Sequence, residues 1–126
     1  MLRQKQVLIA GALLGTLGVA LGAFGAHAFK SILVANNNIE TYELAVRYLF
    51  YHAFALLIIA LLMERFDSKS IRLSATSILI GVFLFSGSLF AIAFKVGKMV
   101  VLVTPIGGVF LIAGWVLMLV AFTNRK

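Results

Sequence analysis

Residues 7–28 read VLIAGALLGTLGVALGAFGAHA, an unbroken apolar run. A helix needs about 20 such residues to cross the hydrocarbon core of a bilayer, so the run predicts a transmembrane helix. Small residues let helix backbones approach closely in membranes, and those three or four positions apart share one helix face. The predicted packing face of this helix consists of Gly11, Gly15, Gly18, Gly22 and Gly25.

The opposite face of the same helix carries a second line of small or polar residues. With small residues on two faces, we expect this helix at the centre of the fold, with its Leu and Phe side chains toward lipid. The second line consists of Thr16, Ala20, Ala23 and His27.

The same run imitates a secretory signal, because Arg3 and Lys5 precede it and Ala26-His27-Ala28 ends it. The apolar core of a signal peptide is about 7–15 residues long, and this run is longer. We therefore expect a retained helix.

The composition of the whole chain agrees with a membrane protein. Of its 126 residues 63% are hydrophobic and 12% charged, against about 45–50% apolar and about 25% charged in soluble domains. The absence of cysteine excludes a disulfide scaffold and a thiolate metal site. A net charge of +7 would suggest nucleic-acid binding in a soluble protein. Here the basic residues flank the apolar runs, so we expect no nucleic-acid partner.

Three further apolar runs complete the predicted fold. Unpaired backbone groups are not tolerated in lipid, and the alternating pattern of a barrel is missing, so all four runs should be helices. We predict an all-α, single-domain bundle of four transmembrane helices in the bacterial cytoplasmic or inner membrane, surrounded by lipid. The helices are expected at about 7–28, 41–64, 73–94 and 104–122.

The helix ends carry weaker signals. Asn38 or Thr41 is the expected cap of the second helix, and Thr104 of the fourth, where Pro105 suits the first turn. Residues 99–103 could be extended or lie along the membrane interface.

Basic residues in the loops predict the orientation. The two termini and the middle loop carry seven Lys and Arg, whereas the first and third loops carry four. Because cytoplasmic segments are enriched in these residues, both termini are predicted to be cytoplasmic.

Helices three and four also carry small residues at helical spacing. On helix four, Gly107 and Gly114 lie seven positions apart. We expect these two faces to pack against each other, with serine hydroxyls bonded within or between helices. The small residues of helix three are Ser74, Ser77, Gly81 and Ser88.

Polar residues concentrate in the half of the membrane opposite the termini. Polar groups in a bilayer usually face a bundle interior or a water-filled cavity. We therefore predict one polar vestibule in the outer half, which binds a lipid-like or small ligand or a partner helix. Its residues would be His27, Arg47, Tyr48, Tyr51, His52, Ser86, Ser88, Thr104, Gly107 and Gly108.

Structural interpretations of these residues compete with the vestibule. Glu43 and Arg47 could form a surface ion pair. The tyrosines, Tyr42 included, could form an interfacial aromatic belt. Both histidines could be structural.

Other functions also stay open at this point. His27 and His52 could hold a haem iron in a redox protein, and the chain could form a small oligomeric channel or transporter. Enzymatic motifs and metal-ligand spacings are missing, so we expect no enzyme activity, metal or cofactor. A homo-oligomer or a partner membrane protein is left open.

Four short motifs carry a family resemblance. They are Gly22-Ala23-Phe24-Gly25-Ala26-His27-Ala28, Tyr51-His52-Ala53, Phe85-Ser86-Gly87-Ser88-Leu89, and Thr104-Pro105-Ile106-Gly107-Gly108 with Gly114-Trp115. In this order, they resemble domain-of-unknown-function family 423 of small bacterial inner-membrane proteins, to which the eukaryotic transmembrane protein 256 is similar. The resemblance covers nearly the whole chain and implies a four-helix membrane protein without an assigned activity. Phe90 departs from the pattern, where a tyrosine is expected.

Overall fold

The computed structural model describes residues 2–124, which form a row of long helices joined by short connections. A single 3-10 turn, Met99–Leu102, precedes the last helix. The helices are α1 (Gln4–Ala26), α2 (Lys30–Ala35), α3 (Ile39–Phe66), α4 (Lys69–Ala93) and α5 (Val103–Thr123).

Four of these helices are long and apolar enough to cross a membrane. They are α1, α3, α4 and α5 with its preceding turn, and their mean hydropathies lie between 1.9 and 2.3. The predicted all-α fold with four transmembrane helices is therefore confirmed. The cytoplasmic location of the termini stays a prediction, and Arg125 and Lys126, which contributed to it, lie outside the described residues.

The helix ends differ from the sequence prediction because polar side chains extend the helices. At the start of α1, the side chain of Gln4 donates to the carbonyl of Ala60 at 3.2 Å, which ties this end to α3. At the start of α4, the Ser68 hydroxyl accepts the N–H of Ile71 at 3.2 Å and caps the helix. Both helices consequently begin several residues before their apolar runs.

The connection between α1 and α3 contains the short helix α2, which is not among the four predicted helices. Leu33 is the buried side chain of α2 and packs with Tyr42 and Ala93. Asn37 adopts a left-handed conformation, with φ of 55°, just after α2 ends. Asparagine tolerates this conformation better than most residues, so the chain can turn here into α3.

Asparagine side chains tie this connection to the far end of α4. The side-chain amide of Asn38 donates to the carbonyls of Ile92 and Ala93, at 3.1 and 3.3 Å, and Asn36 donates to Ala93 at 3.2 Å. Asn38 does occupy the position before α3, but its side chain makes no capping bond there. The predicted cap therefore bonds to a neighbouring helix instead of its own.

The long helices pack in chain order. Extensive contacts join α1 to α3, α3 to α4 and α4 to α5, so α3 and α4 are the inner helices. The prediction of a central first helix is wrong, because α1 lies at the end of the row. Only its glycine face is covered, whereas Thr16, Ala23 and His27 on the second face are exposed.

The glycine face of α1 packs on α3. A Cβ atom on Gly11 would lie 2.9 Å from the Leu57 side chain, and one on Gly18 would lie 3.0 Å from the ring of Phe50. Gly22 and Gly25 also face α3, whereas Gly15 has no neighbour within 4 Å. The small residues of this face, apart from Gly15, are therefore explained by close approach of α3.

The small residues of α4 and α5 meet across one interface. The Ser74 hydroxyl donates to the carbonyl of Gly114 at 2.6 Å, and the Ser77 hydroxyl donates to the carbonyl of Phe110 at 2.6 Å. A Cβ on Gly81 would lie 2.8 Å from the backbone nitrogen of Leu111. The two faces pack as expected, with hydroxyls bonded to the backbone of the neighbouring helix.

Residues 99–103 turn into α5. Met99–Leu102 form a 3-10 turn whose side chains include the exposed Met99, Val101 and Leu102. Because α5 begins at Val103, Thr104 lies inside the helix and does not cap it. Pro105 does lie in the first turn of α5, where its missing N–H costs little.

Candidate functional site

The residues of the predicted vestibule do not form one cluster. His27 follows the last residue of α1 and is exposed. His52 is 4% exposed and lies in the middle of α3, 13 residues after Ile39 and 14 before Phe66. His52 is therefore about halfway along α3, whereas His27 lies at the end of α1.

The two histidines are far apart along the helix axes. Gly25 of α1 lies against Tyr42 of α3, and Gly11 lies against Ala53, so the helices run antiparallel. At about 1.5 Å per residue, His52 and the end of α1 are about 20 Å apart. Within one chain these histidines share neither a cavity nor the two axial positions of a haem.

His52 makes two hydrogen bonds, one within α3 and one that joins α3 to α5. Its Nδ1 lies 2.8 Å from the carbonyl oxygen of Tyr48, and its Nε2 lies 3.1 Å from Nε1 of Trp115. A carbonyl only accepts and an indole N–H only donates. The imidazole is therefore neutral with its proton on Nδ1, and both ring nitrogens are engaged.

A groove with a volume of about 470 Å³ opens beside this bridge, between α3 and α5. Phe85 of α4 forms part of its wall, and its ring lies 4.7 Å from that of Tyr48. Tyr51 and Trp115 are 54% and 46% exposed, so the groove is open on its outer side. We name it the α3–α5 groove; its lining residues are Tyr48, Tyr51, His52, Phe85, Gly108, Leu111, Ile112 and Trp115.

Gly108 leaves room for the groove. A Cβ atom on Gly108 would meet nothing closer than the ring of Phe85, at 3.8 Å. The neighbouring Gly107 differs, because its Cβ would lie 2.8 Å from the Cα of Phe85. Gly107 therefore allows the helices to approach, and Gly108 keeps the groove open.

Two tyrosine hydroxyls are available in the groove. Among residues 2–124, no hydrogen bond engages the hydroxyl of Tyr48 or Tyr51, and no buried side-chain polar atom is left without a partner. Both hydroxyls are thus accessible polar groups with no partner in the described part of the chain. They could bond to a molecule in the groove.

The remaining polar members of the predicted vestibule hold helices together. The Ser86 hydroxyl donates to the carbonyl of Ala45 at 2.9 Å and joins α4 to α3. The hydroxyls of Ser88 and Thr104 lie 2.5 Å apart and join α4 to α5. Neither pair lines the α3–α5 groove.

Arg47 lines a separate cavity of about 290 Å³ between α1, α2 and α3. Glu43 lines the same cavity, yet the predicted ion pair between them is not formed. Within residues 2–124, the ion pair that the structure contains joins Arg72 to Asp67. The Arg72 guanidinium holds the pKa of Asp67 below its ordinary value by hydrogen bonding.

Tyr42 is buried and does not belong to an interfacial belt. Its hydroxyl donates to the carbonyl of Leu21, which joins α3 to α1. Its ring packs edge-on against Phe90 and Phe94, with centroid distances of 5.2 and 5.8 Å. Phe90, the departure from the family pattern, is thus part of an aromatic cluster.

The family assignment can be tested against known proteins. The model of the family "Protein of unknown function (DUF423)" matches residues 21–108. The chain belongs to this family. The matched segment includes the parts of the α3–α5 groove contributed by α3 and α4, and Trp115 lies beyond it.

Relatives of this DUF423 protein are membrane proteins by name. A "UPF0382 membrane protein" of Haemophilus influenzae is 45% identical over 105 residues, 83% of each chain. The "UPF0382 inner membrane protein YgdD" of Escherichia coli is 39% identical and covers 95% of this chain and 91% of its own. No solved structure matches. With its four transmembrane helices, the chain is an integral inner-membrane protein.

Sequence reasoning missed Trp115 as a member of the site. Trp115 belongs to the Gly114-Trp115 pair of the family motif, which by itself predicts no contact for it. An indole in an apolar run gives no sign of its partner, because contact between α3 and α5 depends on how both pack on α4. The structure alone brings Trp115 to His52.

Proposed function

We propose that this DUF423 protein is a non-enzymatic membrane protein that binds a small amphiphilic molecule in the α3–α5 groove. The observation that carries the proposal is a groove beside the middle of α3, with aromatic walls and two tyrosine hydroxyls without a partner in the described chain. Its volume of about 470 Å³ falls in the range of ligand pockets, about 300–1,000 Å³, which are mostly apolar with few polar groups.

The walls favour a neutral ligand. A charged group at the bilayer centre is costly, and the groove offers no charged side chain among its lining residues. The hydroxyls of Tyr48 and Tyr51 can each donate one hydrogen bond. The ligand is therefore an apolar molecule that carries a hydrogen-bond acceptor such as a carbonyl or hydroxyl oxygen, and it enters from the lipid.

The bonding of His52 supports a binding role over a catalytic one. General bases and metal ligands need a free ring nitrogen. Both nitrogens of His52 are engaged, by Tyr48 and Trp115. In the part of the chain that the structure describes, no three side chains of the metal-binding types come together.

The proposal is tested by native mass spectrometry of the protein released from native membranes. Gly108→Leu fills the groove without meeting the backbone of α4, because its Cβ has an open approach. Gly87→Leu is the matched control, since Gly87 is a helical glycine with nothing within 4 Å of its Cβ. We expect a defined small-molecule adduct on the wild type and Gly87→Leu, and its loss from Gly108→Leu.

Two further variants sharpen the result. Tyr51→Phe should weaken retention, because it removes a hydroxyl from the groove. His27→Ala should retain the adduct, because His27 lies about 20 Å away. The proposal would be refuted if Gly108→Leu lost none of the adducts that the wild type carries. So would a wild-type protein whose mass shows only copies of the chain or a partner protein.

A further inference from the structure

The cavity between α1, α2 and α3 combines charged and apolar walls. We name it the α1–α3 cavity; it is separate from the α3–α5 groove and faces another side of α3. Its volume is about 290 Å³. The lining residues are Gly22, Gly25, Ala26, Leu33, Ile39, Tyr42, Glu43, Val46 and Arg47.

Glu43 and Arg47 give this cavity one charge of each sign. They lie four residues apart on α3, so their side chains stand on the same helix face one turn apart. Both are exposed, and within the described residues neither makes a hydrogen bond or an ion pair. Two opposite charges that line one cavity without pairing are complementary to a ligand that itself carries both charges.

The depth of the two residues fits the membrane boundary. The 28 residues of α3 span about 42 Å, which exceeds the hydrocarbon core of about 30 Å, so roughly one turn extends into the headgroup region at each end. Glu43 lies four residues from the start of α3 at Ile39, and Arg47 lies eight residues from it. Glu43 is thus at the edge of the hydrocarbon core and Arg47 about 6 Å inside it, and an arginine side chain is long enough to reach from that depth to the headgroups.

We propose that the α1–α3 cavity binds the headgroup of a phospholipid with a primary ammonium, such as phosphatidylethanolamine. In such a lipid the phosphate is deeper in the membrane than the ammonium, which matches the order of Arg47 and Glu43. The Arg47 guanidinium binds the phosphate through paired N–H donors. The Glu43 carboxylate accepts hydrogen bonds from the ammonium, and the apolar walls at Gly22 and Val46 receive the start of an acyl chain.

This recognition separates lipids by headgroup chemistry. A trimethylammonium headgroup has no N–H to donate to Glu43, and a glycerol headgroup has no positive charge. The primary ammonium therefore forms a hydrogen bond between two opposite charges, which neither of the other two headgroups can form. Loss of one such bond corresponds to about a tenfold or larger drop in retention.

The test measures lipid retention by native mass spectrometry. The full chain is delipidated in mild detergent and given equal amounts of phosphatidylethanolamine, phosphatidylcholine and phosphatidylglycerol with identical acyl chains. The wild type should retain phosphatidylethanolamine about tenfold better than phosphatidylcholine. Glu43→Gln should abolish this preference but keep lipid binding, whereas Arg47→Gln should reduce retention of all three lipids about tenfold.

Controls come from the opposite end of the same helix. Glu64→Gln and Arg65→Gln remove exposed charges there and should leave retention unchanged. Gly108→Leu should also leave it unchanged, which separates this site from the α3–α5 groove. Equal retention of phosphatidylethanolamine and phosphatidylcholine by the wild type would overturn the proposal. So would a preference for phosphatidylglycerol, or a Glu43→Gln protein that keeps the wild-type preference.

Discussion

Gly107 is the position where the α4–α5 interface tolerates least change. An added Cβ would lie 2.8 Å from the Cα of Phe85 and 2.9 Å from the carbonyl carbon of Leu84. These are backbone atoms, so no side-chain rotation can relieve the overlap. The backbone nitrogen of Phe85 is nearer still, so restoring the ordinary contact distance of 3.4 Å requires the two helices to separate by at least about 0.6 Å.

The matched comparison is Gly107→Ala against Gly87→Ala. Both gain helix propensity of about 1 kcal/mol, and Gly87 has nothing within 4 Å of an added Cβ. The propensity gain cancels in the difference, which leaves the overpacking cost of about 1–3 kcal/mol. We expect the free energy of unfolding of Gly107→Ala to be lower than that of Gly87→Ala by this amount.

The chain contains a single tryptophan, Trp115, which reports on α5. Unfolding in mixed micelles with a rising mole fraction of SDS can therefore be followed by its emission. Equal unfolding free energies for the two variants would refute the close approach of α4 and α5 at Gly107. A stabilised Gly107→Ala would refute it more strongly.

Three other measurements address different parts of the fold. Trp115→Phe should remove the donor to His52 Nε2 and shift the imidazole ¹⁵N resonances. It should also lower the unfolding free energy by about 0.5–1.5 kcal/mol, followed by circular dichroism because this variant lacks the tryptophan. Unchanged resonances would contradict the hydrogen bond between Trp115 and His52. Asn38→Ala should destabilise the protein by about 1 kcal/mol, measured by the same SDS titration, because its amide ties the α3 start to α4; wild-type stability would argue against that tie. Since Arg72 lowers the pKa of Asp67 from 3.8, the stabilisation from its charge is present above that pH and is lost as the pH falls through the folded value. The unfolding free energies of the wild type and Asp67→Asn should therefore differ near neutral pH and converge in acid. A difference that persists in strong acid would be inconsistent with an ion pair between Asp67 and Arg72.

Hydropathy predicted the transmembrane helices because lipid allows few alternatives. In lipid, where no water is available, the backbone N–H and C=O groups must form hydrogen bonds with one another. Each apolar run of sufficient length therefore becomes a helix. This constraint applies only within the hydrocarbon core of the membrane. Outside the hydrocarbon, individual side-chain hydrogen bonds such as those of Gln4 and Ser68 determine where a helix begins. Hydropathy values carry no information about such bonds.

The packing order was harder to predict than the packing faces. Glycines at helical spacing show that a helix can be approached closely, but not by which neighbour. Gly25 faces Tyr42, whereas Gly15 in the same line has no neighbour within 4 Å. The second line of α1 looked equally suitable and is exposed, so α1 lies at the end of the row and not at its centre.

The site was predicted in part. Tyr48, Tyr51, His52 and Gly108 were all proposed and all line the α3–α5 groove. His27 was also predicted there, because it ends the first helix at the same side of the membrane at which the second helix begins. His52 lies 13 residues after the start of α3, about 20 Å from the end of α1 where His27 follows.

Gly107 and Gly108 show why the residue type alone does not distinguish a glycine needed for helix packing from a glycine that lines a groove. They are adjacent, so they point about 100° apart around α5. One meets the backbone of α4 and the other meets only the edge of an aromatic ring. A methyl group at Gly108 should therefore be tolerated like one at Gly87, although the same methyl at Gly107 forces α4 and α5 apart. Helix packing therefore does not require a glycine at position 108. A ligand in the groove would explain why this position has no side chain.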